Sequence, residues 1–522
     1  MQQPSGGDAA SPAPLDARLV PAALTSWTVT AAGIWWPIGS LVGSMCAAGG
    51  ACGVLLWRAG HRNQRRRAIG VGLIAVGVVG AGFGFAIALR ANAVARHPVA
   101  AAFGTTAQVM VTPTESAVSV GSGHSGRLMF RAKLQQLRDD QISGRVVVFA
   151  PARDFTVMVG QPMRFRARIA RPSRHDLTVA VVTAIGEPTL GRAGPVHRAA
   201  HAVRAAFAAT ARRVLPADQA AMLPALVLGD MSTANTTTSQ EFRVAGLTHL
   251  TAVSGANVTI VCGAVLFTSR LIGPRAAVAL AGVALVLFVV VVQPTASVLR
   301  AAVMGAIALV GVLSSRRRQA IPALAATVLV LMVVTPQLAV DVGLALSVVA
   351  TAALVVIAPI WSRRLVAAGW PKPLSDAVCV ACAAQLVTAP LIAGISGRVS
   401  LVGAAANLAV AALIAPITVL GSAAGALCLF WPTAAQLMIR FTGPELWWVL
   451  RIAHWAAGVP AASMPVPSGI AGVLLVGATA VLTAVLWRWR WFRAGMAAAA
   501  AGLLAWSLSG LLVGAGGAVG RT

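Results

Sequence analysis

Charge is scarce in this sequence. Asp, Glu, Lys and Arg make up only 11% of the 522 residues, whereas a soluble domain carries roughly a quarter. That scarcity excludes an ordinary soluble protein, and 58% of the residues are hydrophobic. Apolar runs long enough to cross a bilayer, about 20 residues each, recur along the chain. The composition therefore predicts a polytopic membrane protein.

Negative charge is scarcer still. The chain has 14 acidic residues against 41 basic ones, which gives a formal net charge of +27, and Lys133 and Lys372 are its only lysines. Two interpretations of this excess stay open. Basic residues accumulate in the cytoplasmic loops of membrane proteins, and a basic surface also attracts a polyanionic partner.

Several catalytic and metal-binding motifs are absent. Neither lysine is flanked by the glycines of a phosphate-binding loop, and the sequence contains no HExxH or HxHxD motif. His197 and His201 have the spacing of two helical metal ligands, but no third ligand lies nearby in the sequence. The six cysteines lie in apolar segments, which argues against a disulfide framework, and we interpret Cys379-x-x-Cys382 as small-residue packing. We therefore expect no enzymatic activity, no cofactor and no metal site.

The first part of the chain is predicted to be a membrane hairpin behind a short leader. We expect residues 1–30 to be a disordered leader and residues 31–89 to form two spans, near 33–57 and 68–89. The loop between the spans holds five arginines, which are Arg58, Arg62, Arg65, Arg66 and Arg67. A loop this short and basic is typical of the cytoplasmic side. The region that follows is therefore predicted to be extracytoplasmic.

Residues 90–196 have a different pattern, with short β-type runs separated by Gly and Pro. Five such runs, among them "RLMFRAKL" and "MRFRARIA", suit a small five-stranded OB-like barrel or sandwich. In "RFRARIA" the strand period of 2 places Arg164, Arg166 and Arg168 on one face. Arg131 and Lys133 alternate in the same way in a neighbouring run. These faces are either ordinary solvated surfaces or phosphate-binding surfaces.

The remainder divides into a connector and a large membrane domain. Residues 197–245 are predicted to form amphipathic or interfacial helices and a polar connection. Residues 246–522 contain spans near 249–269, 276–292, 297–313, 320–334, 341–360, 375–393, 469–487 and 495–515, and 400–431 is predicted to make two helices around Pro416. The whole chain thus has about 10–12 spans, some of them broken. Three basic clusters are predicted to be cytoplasmic: Arg316–Arg318, Arg363–Arg364 and Arg488–Arg493.

A few polar residues interrupt the apolar spans, and several stand beside Gly or Pro. Broken helices at polar residues are how membrane proteins build hydrated passages. Helix caps and interhelical hydrogen bonds are the alternative for each of them, and Asp341 in particular could be a plain N-cap. The candidates are His249, Ser254, Asn257, Arg300, Asp341, Gln385, Arg398 and Asn407.

Four blocks of this sequence, in order, resemble a known family. "LPALVLGDMS" followed by "EFRVAGLTHLTAVSGANVTIV" resembles the signature of the ComEC family, the inner-membrane DNA-uptake channels of natural competence. "PTASVLRAAVMGAI", "TPQLAVDVGLALSVVATAALV" and "VTAPLIAGISGRVSLVGAAANLAVAALIAPI" resemble its later blocks. The chain departs from the family at Ala256-Asn257, where members often have Leu-His. It also stops at Thr522 without the metallo-β-lactamase-like domain of many members, so nuclease activity is not expected.

The resemblance implies a channel for single-stranded DNA in the cytoplasmic membrane, used during natural transformation. The eight polar candidates would line the DNA path, and the basic residues of the OB-like domain would bind DNA outside. It further implies membrane lipid around the spans, a cytoplasmic ATPase motor, a periplasmic or surface DNA receptor and a separate nuclease as partners. Two alternatives stay open: a secondary transporter for a small anionic solute, and a DNA receptor that conducts nothing.

Overall fold

The computed structural model describes residues 16–502, apart from 37, 61–62, 121–125, 153–154, 156, 314–319, 487, 492, 497 and 499–501. Arg62, the cluster Arg316–Arg318 and most of the predicted span at 495–515 lie outside the described residues. The described chain is mainly helical, with one β domain between residues 106 and 190.

Three helices precede the β domain: α1 Val20–Trp35, α2 Gly39–Ala59 and α3 Gln64–Ala95. The predicted disordered leader is therefore wrong for residues 20–30, which lie in α1. That segment is apolar enough to pack, and Trp27 donates its indole N–H to the carbonyl of Ala339 at 2.8 Å. α2 and α3 approach closely through glycine, because a Cβ at Gly84 would lie 2.6 Å from the Cα of Gly43.

The β domain contains six strands within the described residues. They are β1 Thr106–Pro113, β2 Val118–Val120, β3 Arg127–Leu137, β4 Asp140–Pro151, β5 Met163–Ala170 and β6 Ala180–Leu190. Five of them form a closed ring: the pairs β1–β3, β3–β4, β5–β6 and β1–β5 are antiparallel, and the ring closes through the parallel pair β4–β6. Each of the five predicted runs falls on one of these five strands, and the short β2 extends the edge beside β3.

Four helices connect the β domain to the membrane domain: α4 Pro195–Val214, α5 Ala217–Leu228, α6 Thr236–Val244 and α7 Thr248–Thr251. α4 begins against the β domain, where the Nε2 of His201 lies 3.0 Å from the carbonyl oxygen of Val159. Further along, Phe207 of α4 is fully buried in the largest apolar core of the molecule.

The membrane domain contains ten helices within the described residues. Pro416 lies inside α14, so the predicted pair of helices at 400–431 is wrong. A membrane helix tolerates an internal proline when neighbouring groups satisfy the freed carbonyl. The helices are α8 Gly255–Ser269, α9 Pro274–Val292, α10 Ala296–Leu313, α11 Ala320–Val334, α12 Val342–Ala367, α13 Lys372–Ser396, α14 Gly403–Leu427, α15 Pro432–Phe441, α16 Gly443–Gly458 and α17 Ile470–Leu486. Two short strands, β7 Arg398–Ser400 and β8 Ser463–Pro465, form an antiparallel pair.

Seven helices of the described chain are long and apolar enough to cross a membrane, and four shorter apolar helices accompany them. The seven are α2, α3, α9, α10, α12, α13 and α14, and the shorter ones are α5, α8, α11 and α17. The chain is therefore a multi-pass membrane protein with a small β domain.

The β domain lies at the end of the bundle where α8, α10 and α12 begin. Ser116, in the β1–β2 connection, donates its hydroxyl to the Oε1 of Gln293 at 2.6 Å, in the α9–α10 connection. Ser297 of α10 lies 3.4 Å from Ser347 of α12, measured between the two Oγ atoms. Gln293 has φ 78° and ψ 145°, a backbone conformation that costs a residue with a side chain about 1–3 kcal/mol.

The opposite end of the bundle carries basic residues. α3 begins there with Arg65, Arg66 and Arg67, and α3 ends at the β domain. Because α8 and α12 begin at the β-domain end, their last turns and the starts of α9 and α13 lie at the far end. Those positions hold Arg270, Arg275, Arg363, Arg364 and Lys372.

Candidate functional site

Arg300 is a buried cation in the membrane domain. Its residue is only 6% exposed, although it lies in the second turn of α10. The Nε donates to the Oγ of Ser347 at 2.5 Å, and the Nη1 approaches the sulfur of Met304 at 3.1 Å. Among the residues that the structure describes, no carboxylate pairs with it. In the described part of the chain the guanidinium charge is therefore not balanced by an acidic side chain.

The start of α8 presses against this guanidinium. A Cβ at Gly255 would lie 2.5 Å from the Nη2 of Arg300, so the close approach requires glycine. The N-terminus of a helix carries a partial positive charge. Two positive groups thus meet at the end of the bundle nearest the β domain, and an anion beside them would relieve their repulsion.

Asn257 and Ser254 lie on either side of Gly255, and Asn257 contacts another helix. Asn257 is 3% exposed, and its Nδ2 donates to the carbonyl of Leu226 in α5 at 3.1 Å. The Oγ of Ser254 donates to the Oδ1 of Asn257 at 3.4 Å. These contacts support the packing alternative for Asn257, because its amide joins α8 to α5.

His249 and Asn407 meet from segments 158 residues apart. The Nε2 of His249 lies 3.2 Å from the Oδ1 of Asn407, and the Nδ1 lies 3.1 Å from the carbonyl oxygen of Gly246. A carbonyl can only accept, so the Nδ1 carries a proton. In a neutral ring the Nε2 then accepts, which requires the amide group of Asn407 to turn its NH2 toward it. The imidazole itself remains exposed.

Gln385 lies beside the corner of the chain at Gly246, between α6 and α7. Its Nε2 donates to the carbonyl of Ser400 at 3.1 Å, and the Oγ of Ser400 donates to the carbonyl of Val244 at 2.9 Å. Gly246 has φ +72°, and a Cβ there would lie 3.0 Å from the Cα of Gly403. The corner between α6 and α7 therefore packs directly on the start of α14.

The last two candidates stand apart from these groups. Asp341 is the N-cap of α12 and accepts from the backbone N–H of Leu344 at 3.0 Å. Arg398 is exposed on β7, and its backbone bonds locally to Ser396. The structure thus joins His249 with Asn407 and Ser254 with Asn257, and it places Arg300 across Gly255 from the second pair.

An ion pair that the sequence does not reveal holds the connector to this end. Arg204 of α4 is 8% exposed, and its Nη2 lies 3.2 Å from the Oδ2 of Asp230. Its Nη1 also donates to the carbonyls of Leu228 and Val291, at 3.0 and 3.2 Å. Burial alone would raise the pKa of Asp230, but the charge of Arg204 and hydrogen bonds from Ser232 outweigh it, and the pKa is lowered. The sequence signal that pointed toward a buried partner was an arginine among small apolar residues of an amphipathic helix.

The predicted basic face on β5 exists. Met163, Phe165, Ala167 and Ile169 are buried inside the barrel, whereas Arg166 and Arg168 are exposed outside and Arg164 is half-buried. Across β1 they stand opposite Met110, Gln108 and Thr106. Within the described ranges none of the three arginines forms an ion pair. We name Arg164, Arg166 and Arg168 the β5 arginines.

Arg131 and Lys133 lie on β3, on the other side of β1 from β5, and Lys133 stands opposite Thr112 of β1. The Nη1 of Arg131 pairs with Glu115 at 3.1 Å, next to the Ser116 contact with the bundle. Lys133 is exposed and stands opposite Arg145 of β4. Burial, followed by the charge of Arg131, lowers the pKa of Arg145. The two predicted basic faces therefore flank β1, and they differ because Arg131 is paired with an acidic residue.

Comparison with known proteins gives one match. A family model described as Competence protein matches residues 226–491, just over half of the chain. The match begins in α5 and includes all eight polar candidates of the membrane domain, while the β domain precedes it. No curated protein and no solved structure matches the chain.

Proposed function

The chain belongs to the competence protein family, and on that premise we propose that it is the channel by which single-stranded DNA crosses the cytoplasmic membrane in natural transformation. The family gives the chain a role in DNA uptake. DNA is a polyanion and cannot enter hydrocarbon, so its passage needs a hydrated path with donors for phosphate. The proposal concerns that path, its entrance and its direction.

The charge distribution supports a β domain outside the cell membrane. The bundle end remote from the β domain carries Arg65–Arg67, Arg270, Arg363 and Lys372, and such residues favour the cytoplasm. The ring of five strands with one parallel closing pair supports an OB-like barrel, a fold that binds oligonucleotides.

Arg300 carries the proposal for the path. A buried intramembrane cation is expensive and marks an ion or substrate pathway. Here no carboxylate of the described residues pairs with it, and it stands against the positive start of α8. Passing phosphates would supply the missing negative charge one at a time. His249, Asn407 and Gln385 add neutral donors, which fits conduction because strong fixed sites would trap the strand.

The β5 arginines carry the proposal for the entrance. Three cations on one outer strand, without acidic partners in the described chain, raise the local concentration of a polyanion. Their placement on a barrel surface offers phosphate contacts and no groove-reading helix, so binding without sequence preference is expected. Arg131 and Lys133, on the other side of β1, extend this entrance more weakly, because Glu115 already pairs with Arg131.

We further propose that the chain catalyses nothing and relies on partners. It contains no phosphate-binding loop motif, so the driving force comes from a cytoplasmic ATPase motor. A periplasmic or surface receptor delivers DNA, and a separate nuclease removes the other strand. A transporter for a small anion would use Arg300 equally well, but it has no need of the β5 arginines. A non-conducting receptor would need those arginines but not Arg300.

The decisive experiment measures surface-bound and internalised DNA separately. Labelled DNA is offered to a strain deleted for this chain and complemented with the wild type or with Arg300→Gln. We expect Arg300→Gln to bind DNA at the surface as the wild type does and to internalise almost none. The control is Arg275→Gln, which removes an exposed arginine at the far end of the bundle and should internalise normally. Normal internalisation by Arg300→Gln would contradict the assignment of Arg300 to the DNA path.

A further inference from the structure

A groove lies between the N-terminal helices and the membrane domain, and none of the eight polar candidates lines it. It has a volume of about 300 Å³ and is lined by one face of α3, by Thr30 of α1 and by the end of α11. Its lining is almost entirely apolar and includes Val78, Phe83 and Met332. Gly82 and Ala86 are exposed along it, so the groove opens sideways from the bundle. It therefore opens where bilayer lipid surrounds the protein.

The groove ends at a cation whose depth is fixed by the sequence of α3. The 22 residues from Ala68 to Leu89 contain no charge, and Arg67 and Arg90 flank them. At 1.5 Å per residue they span about 33 Å, which matches a hydrocarbon core of about 30 Å. Arg90 therefore lies at the level of the lipid headgroups in the leaflet that faces the β domain.

Arg90 is free to bind a headgroup. Its Nη2 donates to the carbonyl of Val333 at 3.2 Å, one of the last carbonyls of α11, and this bond holds the guanidinium over the mouth of the groove. In the described chain its other N–H groups have no acceptor and no carboxylate pairs with it, and the side chain is exposed. A guanidinium with exposed N–H groups that lack acceptors can donate them to the oxygens of a phosphodiester.

We propose that this groove holds one anionic phospholipid, with an acyl chain along α3 and the headgroup phosphate on Arg90. The apolar lining takes the chain, and the unpaired guanidinium selects a negatively charged headgroup over a zwitterionic one. The bound lipid joins α3 to α11, which have no covalent connection near this point. The site is independent of the DNA path, because neither Arg300 nor the β5 arginines contribute to it.

The test measures which lipids the intact chain retains. Purified protein is reconstituted into nanodiscs that contain equal amounts of phosphatidylglycerol and phosphatidylcholine. It is then extracted into detergent and examined by native mass spectrometry. We expect one retained phosphatidylglycerol for the wild type. Arg90→Gln should lower its retention about fivefold, the effect of one cation near an anionic headgroup, and Arg90→Lys should restore most of it. Arg96→Gln is the matched control, since Arg96 is exposed at the same end of α3 but does not line the groove.

A second pair of variants tests the apolar part. Gly82→Leu should fill the groove and abolish retention, whereas Gly72→Leu should not, because Gly72 is equally free of neighbours but lies outside the groove. Both variants keep α3 helical, so loss of folding does not explain a difference between them. Equal retention of phosphatidylcholine and phosphatidylglycerol, or wild-type retention by Gly82→Leu, overturns the proposal.

Discussion

The β domain and the membrane domain treat their polar side chains in opposite ways. On β5, arginine alternates with buried apolar residues, and the charged groups point to the outside without acidic partners in the described chain. In the membrane domain, polar side chains are mostly occupied by the protein itself: Asn257 binds the carbonyl of Leu226, and Gln385 binds that of Ser400. Arg300 also donates to the protein, to Ser347 and Met304, but it is a buried cation with which no carboxylate of the described residues pairs.

The contrast follows from the solvent of each region. Water satisfies an arginine on a barrel surface, so it is free to meet a ligand at little cost. Hydrocarbon offers no hydrogen-bond partners, so a polar group there must bond to another protein group or face a hydrated space. A polar residue in a membrane span is thus weak evidence for a path until its partners are known. For Arg300 the proposed path role rests on its burial and on the lack of a paired carboxylate among the described residues.

The largest expected effect comes from placing a side chain on α8 against Arg300. Gly255→Leu places a side chain where a Cβ alone would be 2.5 Å from the guanidinium. Displacing it is expected to destabilise the fold by about 1–3 kcal/mol and to reduce internalised DNA to the level of the deletion strain, with surface binding retained. Gly263→Leu on the same helix is the control, because a Cβ there meets nothing within 4 Å. If both variants import DNA equally, α8 does not border the path.

An intermediate effect is expected from the β5 arginines. Replacing all three by Gln should reduce binding of single-stranded DNA to the whole chain in detergent. The slope of log affinity against log salt should fall by about 2 units, since each lost phosphate contact contributes roughly 0.7. Arg131→Gln should change the slope less, because Glu115 already pairs with that side chain. An unchanged slope in the triple variant would return the β5 arginines to an ordinary solvated surface.

The smallest effect on uptake is expected at Asn257. Asn257→Leu removes the bond to Leu226 and leaves a buried carbonyl unsatisfied, which costs about 1–3 kcal/mol of stability. Thermal unfolding in detergent should show the loss, while the protein that survives should import DNA. Thr259→Val is the control, since Thr259 bonds only within its own helix. A fully stable Asn257→Leu protein that imports nothing would contradict the packing role and restore the path role.

The strands could be predicted from the sequence because their pattern is local. Alternation in "MRFRARIA" locates β5 at Met163–Ala170 and decides which side chains point outward. The N-cap role of Asp341 was likewise available from its position before an apolar run.

Partners distant in the sequence could not be predicted. Nothing local tells that Asn257 binds Leu226, that Arg204 binds Asp230 or that His249 meets Asn407. Helix α1 was missed because its residues follow a polar leader, and its packing depends on a distant segment, the connection between α11 and α12 that holds Ala339. Pro416 suggested a break because proline opposes helix in water, whereas the packed interior of the bundle keeps α14 continuous.

The hydrogen bond between Ser116 and Gln293 joins the β domain to the membrane domain in addition to the covalent connections through α3 and α4. Under the proposed function, a motor that draws a strand inward also pulls on the barrel, and this bond passes part of that tension to the bundle. It does so at Gln293, whose backbone is held in an unfavourable conformation, three residues before α10 begins. A load on the β domain would thus reach the first turn of the helix that carries Arg300.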